Sequence, residues 1–105
     1  MSELKSFDEI TESLKKLGFK LDFEDDEIRA CLNHKDMRIV KVIYENLMIA
    51  LVFYGNKLFF VHYDRVCINC ASINIYLNEF EVPVIECLNA ESTKVAEIYL
   101  DVVII

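Results

Sequence analysis

Apolar and polar positions alternate along most of this chain, and a helical period shows at one place. Phe7, Ile10, Leu14 and Leu17 recur at spacings of three and four, which is the stripe of one amphipathic helix over Phe7–Leu17. Ser6 and Glu9 form the S-x-x-E capping box at its start. Asp8 and Glu9 lie at the positive end of its dipole, and Lys15 and Lys16 at the negative end. Gly18 supplies the left-handed stop, and Phe19 can fold back on the last turn. The stripe is narrow and complete, so the helix is expected to pack on its own sheet rather than on a partner.

Period-two alternation then predicts strands. Phe19–Glu24 and Glu27–Asn33 read as half-buried strands joined at Asp25-Asp26. His34-Lys35-Asp36 reads as a turn, and Met37–Tyr44 as a strand with Arg38, Val40, Val42 and Tyr44 on one face. Glu45-Asn46 turns the chain into Leu47–Asp64, two arms folded over Gly55-Asn56, a dipeptide suited to a two-residue hairpin loop. An uninterrupted register pairs Val52 with Phe59, Leu51 with Phe60 and Ala50 with Val61. Both faces of this hairpin are then apolar, whereas a hairpin with one solvated face carries polar residues on it. Each face therefore needs a cover, from the chain itself or from a partner.

Asp64–Cys70 has no clear period. Ala71–Asn78 alternates as a strand, although Ile73, Tyr76, Leu77 and Phe80 would also suit a helix. Val82–Leu88 is a short strand that Pro83 restricts to a sheet edge or a strand start. Asn89–Thr93 is a loop, and Lys94–Ile105 a final strand, with a helix from Ser92 as a competitor for its first half. The expected fold class is α+β over a single domain, 1–105. One N-terminal helix packs on a predominantly antiparallel meander sheet, strongly curved if it wraps the helix.

The chain has 105 residues, a 54% apolar fraction and a net charge of −7. That length suffices for a core without metal or disulfide staples. The charge argues against direct binding to nucleic-acid phosphates or to an anionic membrane. The polar, charged opening MSELKSFDEI is not a secretory signal, and no run of apolar residues is long enough to span a bilayer. A cytoplasmic location is expected, where the four cysteines are normally reduced.

Candidate chemistry is sparse. Cys31 and His34, as C-x2-H, and Cys67 and Cys70, as C-x2-C, could supply four zinc ligands. Neither pair has a glycine to tighten its knuckle. In a simple meander their turns also fall at opposite ends of the sheet, on the order of 20 Å apart. No cofactor is therefore expected. Cys67 and Cys70 should point to opposite faces of a regular strand and cannot bridge there. In a hyperthermophile protein, a structural disulfide involving Cys31 or Cys87 becomes an option. His62 and Asp64, two apart on one strand face, could orient an imidazole for acid–base work. No nucleophile has a recognisable setting beside them. Asp22, Glu24, Asp25, Asp26 and Glu27 form an acidic patch suited to a cation or a basic partner, or to guarding a sheet edge.

The strongest functional signal is apolar surface without an assigned cover. It leads to a non-enzymatic interaction protein, a homodimer built through sheet faces or edges, with Tyr76, Ile98, Tyr99, Leu100, Val102 and Ile104 as interface residues. Two other classes remain: a small-ligand or metal-binding module with weak hydrolytic activity, and an acidic inhibitor of a nucleic-acid enzyme.

Overall fold

A computed structural model describes residues 3–23, 37–99 and 102–105. Among them are one helix and nine strands in two antiparallel sheets. Helix α1 spans Phe7–Lys16. The first sheet runs in chain order through β1 (Lys20–Asp22), β2 (Met37–Tyr44), β3 (Leu47–Tyr54), β4 (Lys57–Tyr63) and β5 (Val66–Asn69). The second runs through β6 (Ser72–Leu77), β7 (Pro83–Leu88), β8 (Lys94–Tyr99) and β9 (Val102–Ile104). The expected α+β class and antiparallel meander order are present. The meander breaks at Cys70-Ala71, so it forms two sheets instead of one.

The ends of α1 follow from local chemistry. Ser6 Oγ accepts the Glu9 amide at 3.3 Å and donates to the Glu9 carboxylate at 2.8 Å. The Gly18 amide donates to Lys15 O and the Phe19 amide to Leu14 O, both at 3.1 Å. With Gly18 at φ +89, this is a Schellman stop. Buried Thr11 satisfies its hydroxyl on Phe7 O at 2.8 Å.

The segment before the helix joins the two sheets. Leu4 exchanges both backbone bonds with Ile73 of β6, at 2.8 and 2.9 Å. One residue on, Lys5 O accepts the Leu58 amide, and the Phe7 amide donates to Asn56 O in the β3–β4 hairpin. Ile10 and Leu14 then enter a core shared by both sheets. Val40, Val42, Leu51, Phe53 and Val61 come from the first sheet, and Ile73, Ile85, Cys87 and Ile98 from the second.

Three expectations are corrected. First, the β3–β4 register shifts between Val52 and Phe53: Phe53 opposes Leu58, but Val52 opposes Phe60, Leu51 opposes Val61 and Ala50 opposes His62. Phe59 is the extra residue of a β-bulge and is 56% exposed. The bulge turns both Leu58 and Val61 to the shared core and moves Phe60 to the opposite face. There Ile39, Ala50, Val52 and Phe60 form a second buried cluster, so the middle of the second apolar face of the hairpin is covered, while Met48 and Tyr54 on the same face of β3 stay exposed. Second, the expected final strand is two antiparallel strands, β8 and β9, and neither these nor β6 is helical. Third, Asp64-Arg65 is a tight turn with φ of 47° and 65°, which opens β5. Strand β1 ends at Asp22, short of the expected Glu24, and the strand expected over Glu27–Asn33 lies outside the described residues.

The two loops of the second sheet use one device twice. Asn78 Oδ1 accepts the amides of Phe80 and Val82, and Asn89 Oδ1 those of Glu91 and Thr93, all at 2.9–3.0 Å. Each loop then places a left-handed residue fourth, Glu81 at φ 60° and Ser92 at φ 62°. Pro83 begins β7, where its missing N–H is tolerated, although β7 is an inner strand of its sheet.

One core serves both sheets, so they should unfold together. Leu14→Ala is expected to cost about 2–5 kcal/mol and Ser6→Ala about 1 kcal/mol. Urea titrations followed by circular dichroism and by tyrosine fluorescence should give one coincident transition for each variant. Separate transitions would mean that the sheets fold independently.

Candidate functional site

The register of the second sheet sorts its residues by face. Ile98 opposes Ile85 and Val103 and is 2% exposed within the core. The residues one step away in parity point outward. Tyr76, Val84, Tyr99 and Val102 are successive cross-strand neighbours and form one row. Asn74, Glu86, Glu97 and Ile104 form the next. Four of the expected interface residues, Tyr76, Tyr99, Val102 and Ile104, are therefore brought onto one outer face. Ile98 is corrected to the core, because it has the opposite parity. Leu100 lies outside the described residues.

The outer face is apolar at its open edge and charged in the middle. Val102 and Ile104 are 47% and 57% exposed on β9, which pairs only with β8 among the described residues. Lys94 lies between two carboxylates, with Nζ 2.9 Å from Glu97 and 3.7 Å from Glu86. Its hydrogen bond to Glu97, and then the charges of Glu97 and Glu86, hold the ammonium above its ordinary pKa. Burial raises the Tyr76 phenol above its ordinary value, and the carboxylates of Glu86 and Glu97 push the same way. Asn74 Oδ1 is buried with no hydrogen-bond partner among the described residues. Alternation along β6 and β8 already sets Asn74 beside Tyr76 and Glu97 beside Tyr99, but the sequence does not place Glu86 and Lys94 on this face. Glu86 follows from alternation once the β7 register is known, whereas Lys94 has the parity of Ala96 and Ile98 and its place depends on the register shift between Cys87 and Leu88, which alternation does not show.

The other candidates do not assemble. His62 sits on β4 opposite Cys67 of β5, on the outer face of the first sheet. Asp64 has left the strand for the left-handed turn, so the two no longer share a strand face, and no hydrogen bond joins them among the described residues. Cys67 is exposed and Cys70 buried, on opposite sides of the chain as expected. Cys31 and His34 lie outside the described residues, as do Glu24, Asp25, Asp26 and Glu27 of the acidic patch. Asp22, the remaining member, is exposed at the end of β1. Among the described residues no group of three metal-ligating side chains converges, and no helix is long and apolar enough to cross a membrane.

A groove of about 660 Å³ opens where the sheets part. Phe59, Val66 and Cys67 line it on one side, Asn89 and Glu91 on the other, and Cys70 lies between them. Cys70 and Cys87 are both buried in the shared core. The Cys70 thiol donates to Ser72 O at 3.2 Å. Its neighbour Cys87 lowers the Cys70 pKa, against the opposing effect of burial, and the Leu88 and Ser72 backbone add to the lowering. The same contact, together with burial, pushes the Cys87 thiol strongly up.

The chain matches no protein-family model, and neither the curated proteins nor the solved structures contain a significant match to it.

The Tyr76 environment gives a pH prediction with a definite sign. Its folded pKa is raised above the unfolded value, so the folded protein holds this proton where the unfolded chain has begun to release it. The resulting stability is fully present below about pH 10 and is lost as pH rises through the folded pKa. In an ultraviolet titration of tyrosinate, Tyr76→Phe should remove a late-titrating component. Glu86→Gln and Glu97→Gln should each move that component to lower pH. An unchanged late component in Tyr76→Phe would refute the assignment.

Proposed function

We propose that this chain is a non-enzymatic protein-interaction domain that forms a homodimer through the β9 edge and the outer face beside it. The observation that carries this reading is β9 itself. Its three residues are all apolar, two of them are largely exposed, and one side of the strand has no partner among the described residues. Edge strands are ordinarily protected by charge, proline, a bulge or a covering segment, and β9 carries no charge or proline.

A second copy is the simplest cover. Antiparallel pairing of β9 with its own copy about a two-fold axis satisfies both edges with one isologous contact and yields a continuous eight-stranded sheet. Tyr99 would flank the seam with its amphipathic ring, a frequent role for tyrosine at interfaces, while Tyr76 on β6 lies at the far edge of the same face. Lys94, Glu86 and Glu97 would form its polar rim. A cytoplasmic location fits the free thiols of Cys67, Cys70 and Cys87.

Light scattering coupled to size-exclusion chromatography tests the assembly. The native chain should elute as a dimer at micromolar concentration. Val102→Lys should weaken dimerisation by at least about tenfold, roughly 1.4 kcal/mol, while its circular dichroism stays native. Ile98→Asp should unfold the protein instead, because that side chain is in the core. Each copy carries a net charge of −7, so added salt should tighten the dimer by screening repulsion. A monomer at all concentrations and salt levels would overturn the proposal.

A further inference from the structure

We propose that His62 and Cys67 together bind Cu(I), a soft, thiophilic cation, on the outer face of the first sheet. The β4–β5 register carries this. His62 of β4 stands directly opposite Cys67 of β5. The two strands are joined through the left-handed residues Asp64 and Arg65, with Tyr63 opposite Val66 across the turn. At the other end of the pair the Cys70 amide donates to Phe59 O at 3.4 Å, so residues 59 and 70 meet at a hydrogen-bonded position. Hydrogen-bonded and non-hydrogen-bonded positions alternate along an antiparallel ladder. Val61 with Ile68, and Tyr63 with Val66, are therefore hydrogen-bonded positions, and His62 with Cys67 is the non-hydrogen-bonded position between them. That is the closer kind of pair, with Cα atoms about 4.5 Å apart and both side chains on one face.

The setting leaves both donors available to an ion. Cys67 is exposed and lines the groove where the sheets part, and His62 is half-buried beside it. Neither side chain is held by a hydrogen bond or an ion pair among the described residues. The net charge of −7 draws cations toward the surface.

The donor set selects the ion. A thiolate and an imidazole favour Cu(I) or zinc over the oxygen-seeking calcium and magnesium. Protein zinc sites take three or four side chains, and no third metal-ligating group joins this pair among the described residues. Cu(I) is satisfied by two donors. The Cys67 thiol releases its proton to water as the S–Cu bond forms. One His62 ring nitrogen donates its lone pair, and the metal remains Cu(I), so no electron is transferred.

The test uses the full chain, reduced and under argon, with Cu(I) supplied as its coloured bicinchoninate complex. The native chain should bleach the complex with a stoichiometry of one ion per chain. N-ethylmaleimide should alkylate Cys67 in the metal-free protein and spare it in the loaded one, as read by peptide mapping. Loading should also shift the His62 ring nitrogens in nitrogen NMR, which a merely structural histidine would not show. Cys67→Ser and His62→Ala should each lose the capture while circular dichroism stays native. Cys31→Ser should capture as the native chain does, because the cross-strand pair suffices. The proposal is overturned if the native chain leaves the complex coloured, or if capture persists in Cys67→Ser or His62→Ala. It is equally overturned if Cys31→Ser loses capture, or if the His62 nitrogens do not move.

Discussion

Neither sheet can bury its inner face alone, and this constraint organises the molecule. The first sheet offers Val40, Val42, Leu51, Phe53 and Val61, and the second offers Ile73, Ile85 and Ile98; they meet around Ile10 and Leu14 of the only helix among the described residues. What holds the halves in register is a few backbone hydrogen bonds just upstream of that helix. Leu4 pairs with β6, and Lys5 and Phe7 pair with the β3–β4 hairpin. Without this segment β6 would lose its Leu4 partner along one edge. The helix would also lose the anchor that sets its depth in the core. The capping hydrogen bonds of Ser6 and the Schellman stop at Gly18 fix where the helix begins and ends, so its stripe meets both sheets.

Much of this was legible in the sequence where local chemistry decides the outcome. Ser6 and Glu9, Gly18, the Gly55 turn and the alternation of Met37–Tyr44 all specify their own conformations within a few residues. What could not be read is what depends on partners distant in the chain. The Phe59 bulge is one case. Every residue from Leu58 to Val61 is apolar, so no polar position marks where the register slips. The bulge is favoured because it turns Leu58 and Val61 to the same core and directs Phe59 O to the Cys70 amide. The break of the meander at Cys70-Ala71 is another. Nothing polar announces it, since it is set by Ala71 joining Leu88 while Cys70 still holds Phe59.

The candidate site shows the same division. Parity along one strand separated Ile98 from Tyr99 only once β7 supplied the reference face, because both residues are large and apolar enough to be buried. Ile85 faces the core opposite Ile98, and Glu86 faces outward opposite Glu97. The cross-strand pair of carboxylates would repel if left alone. Lys94 between them explains why the sheet tolerates the pair, and why the middle of this face stays polar while its edge is apolar.

The four sheet edges are not equivalent, and that inequality carries the functional reading. Strand β6 has Leu4 bonded to it at Ile73. Strand β1 carries Lys20 and Asp22 in three residues. Strand β5 is entered through the charged turn Asp64-Arg65 and ends on Asn69. Strand β9 alone among these is wholly apolar, and it is also the shortest along with β1. Three residues give too few backbone bonds to hold a foreign strand by themselves. In the proposed dimer, recognition at this edge would therefore draw on the side chains beside it. Tyr99 and Val102 oppose each other in adjacent strands, and Tyr76 extends their row across the face. In the proposed dimer, a partner that matches this row as well as the edge would be selected over one that merely adds a strand, so a short open edge would serve association without inviting indiscriminate pairing.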